Sequence, residues 1–240
     1  MSLLDVDGVT VRFGGNLALR DVGLRVHPGE VTGLIGPNGA GKTTLFNVIC
    51  GLLSPQRGEV RIDGRSVTKL PPYRRARLGL ARTFQRLELF SLLTVRENLE
   101  LAASVRRRGR PDADVDALLE LVGLGEVADV RADELPTGQA RLVELGRALA
   151  TSPRVLLLDE PASGQDEIET EAFRTTLLTV AAQGIGVVLV EHDVHLVMRT
   201  CRCVHVLDFG SVLAVGTPEE IQRDPAVRAA YLGAVVGEVA

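Results

Sequence analysis

The stretch Gly36-Pro37-Asn38-Gly39-Ala40-Gly41-Lys42-Thr43 constrains this chain more than any other. It fits the pattern G-x-x-x-x-G-K-[ST]. Before it, Val31–Ile35 reads as a short buried strand, and after it Thr43–Cys50 reads as a helix stopped by Gly51. Glycines in such a strand–loop–helix unit let backbone N–H groups turn inward around phosphate oxygens. The helix points its positive end at the same place. Lys42 then supplies a point charge for the β- and γ-phosphates of a nucleotide, and the Thr43 hydroxyl a ligand for Mg²⁺. Lysine occurs elsewhere only at Lys69, which weighs against a chance lysine in a glycine-rich turn.

The surrounding sequence makes this unit part of an α/β fold. Residues 1–26 alternate in the manner of strands, and Asp63-Gly64 after Val60 and Ile62 reads as a hairpin turn. From about 87 to 150 the pattern turns helical, opening with a capping box at Thr94-Val95-Arg96-Glu97. Val155–Leu158 and Val187–Val190 are unbroken apolar runs, as in parallel strands covered on both faces. Thr217-Pro218-Glu219-Glu220 is a second capping box and starts a C-terminal helix expected over about 218–232. The expectation is one domain over 1–240, an α/β core with a helical lobe inserted near its middle.

Val155-Leu156-Leu157-Leu158-Asp159-Glu160 delivers two carboxylates to the C-terminal end of a strand, where α/β proteins place ligands. Asp159 suits Mg²⁺ held through water, and Glu160 suits polarising an attacking water. Adjacent strand residues point to opposite faces, so the two acids are expected to do different jobs.

Composition limits the partners. Net charge is −4 and aromatics are 3% with no Trp, so neither a basic surface nor a base-stacking platform for nucleic acid is expected. No apolar run approaches the roughly 20 residues of a membrane helix, and the N-terminus lacks the features of a signal peptide. Cys50, Cys201 and Cys203 are expected to be reduced, packed thiols. Arg106-Arg107-Arg108-Gly109-Arg110 is expected to be a solvated face, partly offset by Asp112, Asp114 and Asp116, rather than a lipid contact.

With these motifs in place, the chain resembles the nucleotide-binding subunits of ABC transporters over essentially its whole length. The resemblance implies a P-loop NTPase of ABC type, with a RecA-like core, an N-terminal antiparallel β-subdomain and an inserted α-helical lobe. It implies ATP and Mg²⁺ as ligands. Phe13 stands where that family stacks an aromatic on adenine, and Gly36, Asn38, Gly39, Ala40, Gly41, Lys42, Thr43 and Thr44 where it binds phosphates. Gln85 in Thr83-Phe84-Gln85 matches the glutamine that touches Mg²⁺, beside Thr43 and Asp159, and senses a membrane partner. His192 matches the histidine that contacts the γ-phosphate, completing a catalytic set with Glu160 and Lys42. His27, His195 and His205 are expected in turns or at the surface.

The family's signature loop is L-S-G-G-Q, and the matching stretch is Leu135-Pro136-Thr137-Gly138-Gln139. Gly138 and Gln139 match; Pro136 removes the serine hydroxyl, and Thr137 replaces the first glycine. In the family this loop completes the ATP site of a second ATPase subunit, so the resemblance implies a homo- or heterodimer. The loop Ser163-Gly164-Gln165-Asp166 resembles the family's S-A-L-D. Together with Arg12-Phe13-Gly14-Gly15, Arg82-Thr83-Phe84-Gln85, Gly216-Thr217-Pro218 and Ala230-Tyr231-Leu232-Gly233, these stretches are most similar to ATPases of branched-chain amino-acid importers. The implied partners are transmembrane permease subunits and, indirectly, a solute-binding protein, at the cytoplasmic face of the inner membrane. Lipopolysaccharide-export and urea-importer ATPases share much of the pattern, and soluble ABC ATPases share the motifs.

Overall fold

The computed structural model describes residues 2–104 and 114–232. The arginine run at 106–110 lies outside them, as does Gly233. The chain begins with β1 (Leu4–Phe13) and β2 (Asn16–Val26), then β3 (Val31–Ile35) leads into α1 (Lys42–Cys50). A hairpin of β4 (Arg57–Ile62) and β5 (Arg65–Ser66) follows, then α2 (Pro72–Arg77) and β6 (Leu80–Arg82). The inserted lobe carries α3 (Val95–Ser104), α4 (Val115–Leu121) and α5 (Thr137–Ala150). The core resumes with β7 (Val155–Asp159), α6 (Glu167–Ala182), β8 (Gly186–Val190) and α7 (Val194–Thr200). It closes with β9 (Cys203–Asp208), β10 (Ser211–Gly216) and α8 (Pro218–Arg223).

Two sheets result. An antiparallel sheet has the order β2-β1-β4-β5, and a second has the order β10-β9-β3-β8-β7-β6. In the second sheet β9, β3, β8, β7 and β6 run parallel, and only β10 is antiparallel to its neighbour. Side chains alternate across a strand, and this alternation builds two cores on one sheet. Ile35, Leu156, Leu158, Val187 and Leu189 pack with α5, α6 and α7 on one face. Leu34, Val155, Leu157, Val188 and Val190 pack with α1 and the antiparallel sheet on the other. The strands are unbroken apolar runs because both faces are covered.

Local chemistry sets the ends of the helices. Gly51 caps α1 in the left-handed conformation (φ 79°) and donates its N–H to the Val48 carbonyl. Thr94 and Glu97 exchange side-chain-to-backbone bonds of 3.1 and 2.8 Å at the head of α3, and Thr217 and Glu220 do the same before α8.

Two expectations are corrected. The helix expected over about 218–232 is broken at Asp224, which is extended (ψ 120°) and accepts the N–H groups of Ala226 and Val227. Pro225 follows it and starts a second helical segment, Pro225–Val227, which continues as Arg228–Leu232. His205 is not at the surface. It lies in β9 opposite Leu34 and Val215, is 7% exposed, and its Nδ1 has no hydrogen-bond partner. Burial pulls its pKa down to about 4. His27 and His195 are exposed, as expected. Cys50, Cys201 and Cys203 are all free thiols, the first two buried. No helix of the described residues is long and apolar enough to cross a membrane.

Candidate functional site

The C-terminal ends of β3, β6, β7 and β8 point the same way, and each delivers one part of the site. After β3, the loop Gly36–Gly41 wraps back on itself. Gly36 and Gly41 have φ of 150° and 108°. A β-carbon on Gly36 would collide with the Leu207 carbonyl, and one on Gly41 would stand 2.7 Å from Leu19 Cδ2. Only glycine lets the loop pack this close to β9 and β2.

Lys42 is buried, and its Nζ donates to the carbonyls of Gly36 (2.6 Å) and Pro37 (3.2 Å). Burial lowers its pKa, against the opposing pull of Glu160 and Asp159. A cleft of about 580 Å³ opens over the loop. Asn38, Gly39, Ala40, Gly41, Lys42, Thr43, Thr44, Gln85 and Glu160 line it, joined by Asn16, Leu17, Ala18 and Arg20 from β2 and by Phe209 and Gly210.

Glu160 sits one residue past β7 in the left-handed region (φ 52°), an unfavoured conformation for a residue with a side chain. Its N–H donates to the Val190 carbonyl at 2.9 Å. Its two carboxylate oxygens are separately held: Gln85 Nε2 donates to Oε2 at 2.9 Å, and His192 Nε2 lies 2.8 Å from Oε1. Three residues distant in sequence therefore meet on one carboxylate beside the cradle. Asp159, the last residue of β7, has a different partner: its Oδ2 accepts from Arg82 at 2.8 Å, with both side chains 9% exposed.

Thr43, Gln85 and Asp159 offer a hydroxyl, an amide and a carboxylate, the hard oxygen donors that Mg²⁺ prefers. Phe13 is 53% exposed at the end of β1, paired with Asn16, and is not among the residues lining the cleft. Thr137, Gly138 and Gln139 also lie away from the cleft, at the start of α5. Pro136 precedes α5 and offers no side-chain cap, so the first backbone N–H groups of that helix are not claimed by a neighbouring hydroxyl. A β-carbon on Gly164, in the loop after β7, would stand 3.8 Å from Thr137 Cγ2, so this loop lies beside the start of α5.

Several residues that hold the site together carry no local motif. Glu191 is 4% exposed and accepts from Ala162 N at 2.8 Å and His192 N at 3.2 Å, tying the loop after β7 to the one after β8. Burial raises its pKa, and the two N–H groups act against that. Arg82 also donates to Asn47 Oδ1 at 2.8 Å and stacks between Phe46 and Phe84. Arg141 on α5 donates to the carbonyls of Phe84 (3.2 Å) and Gln85 (2.7 Å) and pairs with buried Glu144 at 2.9 Å. Glu144 in turn accepts from Glu88 N, and Arg147 reaches the Glu88 carbonyl. The segment carrying Gln85 is thereby fastened to the helix that begins with Thr137 and Gly138.

A nucleotide cradle, a carboxylate clasped by a glutamine and a histidine, and a helical lobe bearing a glycine-containing helix start define an ATPase of the cassette type. The chain belongs to the ABC transporter family, whose model matches residues 19–163, and residues 211–236 match that of the branched-chain amino acid ATP-binding cassette transporter. It is 40% identical to the high-affinity branched-chain amino acid transport ATP-binding protein BraF of Pseudomonas aeruginosa, over 96% of this chain and 98% of that one. Among solved structures, the ADP conformation of MJ1267, an ATP-binding cassette of an ABC transporter, matches with a TM-score of 0.86 and 31% identity, covering 97% and 99% of the two chains. The cassette MJ0796, seen as a dimer bound to ADP and Pi, matches with a TM-score of 0.78 and 28% identity over 90% of this chain and 98% of that one. The chain is an ATPase subunit that couples ATP hydrolysis to transport.

Proposed function

We propose that this ATPase drives import of branched-chain amino acids, as one of two cassettes beneath permease subunits at the cytoplasmic face of the plasma membrane. A solute-binding protein would select the amino acid on the far side. The observation that carries the hydrolytic part is the meeting of Gln85 and His192 on Glu160 at the edge of the phosphate cradle. The relationship to BraF, together with the match at residues 211–236, supports the substrate class.

In this reading Lys42 leaves its two loop carbonyls for the β- and γ-phosphates. The inward N–H groups of the loop and the N-terminus of α1 bind the remaining oxygens. Thr43, Gln85 and Asp159 would hold Mg²⁺, which when bound would offset phosphate charge. Phe13 packs on adenine. Glu160 accepts a hydrogen bond from the attacking water, and His192 steadies the γ-phosphate. The second cassette's Thr137, Gly138 and Gln139 close over that phosphate, using the uncapped N-terminus of α5.

An apolar groove supports the permease contact. Leu52, Tyr73, Phe84, Phe90 and Leu101 are all exposed at its walls, and Ala81, Arg82 and Thr83 lie along it. An apolar helix of a permease fits such a surface. Phe84, one residue before Gln85, lines the groove, so docking and nucleotide would act on the same short segment. Reconstitution with a permease pair and solute-binding protein tests the proposal. ATP-dependent uptake of leucine, isoleucine or valine is expected; uptake of none of them, with ATPase activity intact, would reject the substrate class.

A further inference from the structure

We propose that Phe209 contacts the base of the bound nucleotide, a role that goes beyond the aromatic expected at Phe13. The proposal rests on the nucleotide cleft described above. Phe209 is the tip of the β9–β10 hairpin, between the paired residues Asp208 and Ser211. It has φ of 41°, a left-handed conformation unfavoured for a residue with a β-carbon. The residue is 90% exposed, more than any other exposed large hydrophobic among the described residues. Backbone strain and an exposed apolar ring both oppose folding, so the position is not explained by packing within the chain.

The hairpin tip is also fixed in place. Gly210 N donates to the Ala40 carbonyl of the cradle at 3.0 Å, and Arg20 N donates to the Gly210 carbonyl at 2.7 Å. A β-carbon on Gly210 would stand 2.5 Å from the Ala18 carbonyl, so the turn is pressed onto β2. Phe209 thus reaches the rim of the cleft on a support bonded to the phosphate loop itself. The hairpin tip is tied to Ala18 and Arg20 of β2, which line the same cleft together with Asn16 and Leu17. A flat apolar ring held beside a phosphate cradle suits a flat heterocycle attached to those phosphates. Base–aromatic contacts of this kind tolerate different bases, because each has a π-face.

The test compares two probes on the full chain. Tripolyphosphate with Mg²⁺ engages the cradle alone, and ATP with Mg²⁺ adds sugar and base. Phe209→Asn keeps the turn, since asparagine tolerates left-handed backbone. It is expected to raise the Kd for ATP about five-fold or more and to leave that for tripolyphosphate unchanged. Phe209→Trp places a lone indole in a chain that has no Trp. Its emission is expected to shift with ATP and to stay constant with tripolyphosphate. Unchanged ATP affinity in Phe209→Asn, or equal losses for both probes, would overturn the proposal. So would loss of base affinity confined to a Phe13→Ala control. Failure of the unaltered chain to bind ATP at all would instead count against the cleft as a nucleotide site.

Discussion

The phosphate loop and the segment from Phe84 to Glu88 both border the cleft, yet they are built in opposite ways. The loop takes its shape from backbone: positive φ at Gly36, Gly39 and Gly41, close contacts to β2 and β9, and a lysine bonded to its own carbonyls. The Gln85 segment is held by side chains from elsewhere, with Arg141, Glu144 and Arg147 of α5 gripping its backbone. A backbone-built loop has one shape and suits a constant ligand, the triphosphate. A segment hung from a helix goes where the helix goes, and α5 carries the signature residues. Movement of the lobe and position of Gln85 are therefore expected to be one variable.

Glu160 sits where the two constructions meet, and altering it gives the largest effect. Glu160→Gln keeps the volume and removes the base. Turnover is expected to fall about 10²–10⁴-fold with nucleotide affinity little changed, measured as steady-state ATPase rate beside calorimetric binding. Retained turnover would take Glu160 out of its role and loosen the link between the two regions.

Arg141→Met strikes the suspended segment only. It leaves Glu144 buried without its cation, and a loss of about 3–5 kcal/mol in unfolding free energy is expected by denaturant titration. Arg141→Met with Glu144→Leu is expected to recover most of that stability while leaving Gln85 untethered, so that ATP still binds and turnover stays low. A double variant with normal turnover would break the comparison.

His205 lies on the backbone-built side, in the strand beside β3. Its folded pKa of about 4 is below the ordinary value of 6.5, so the unfolded chain binds the extra proton first. The stability it permits is complete above pH 6.5 and is lost as pH falls from there toward 4. The loss reaches on the order of 3 kcal/mol. His205→Leu is expected to flatten that part of the stability–pH curve; an unchanged curve would show that other groups set it. The smallest effect is expected of Glu191→Gln, whose amide oxygen cannot replace both carboxylate acceptors. A turnover loss of about ten-fold with unaltered ATP affinity is expected from misplacing His192 and the loop after β7.

What the sequence disclosed follows the same division. The cradle, the Gly51 cap and the two capping boxes are local patterns in which residues a few places apart satisfy one another, and each stands where its pattern places it. The Asp224-Pro225 break was legible in the same way, as an N-cap followed by proline, but the second capping box seven residues earlier drew the helix past it. Arg82, Arg141 and Glu191 had no such signature. Arg82 meets a carboxylate 77 residues away and Arg141 a carbonyl 57 away, and no spacing rule anticipates either. The burial of His205 is not legible locally, because an isolated histidine takes its environment from the strands on either side, and their register is a property of the assembled sheet.

The bonds Lys42 makes to Gly36 and Pro37 have a consequence for which ligands can enter. Its ammonium is solvated by two carbonyl dipoles of the loop itself, so the cradle is not a bare positive hole. A newcomer must offer the lysine more than those dipoles do. A multiply charged polyphosphate does so easily, while chloride or a neutral sugar does not. The loop thus filters its visitors by charge before the base is ever inspected.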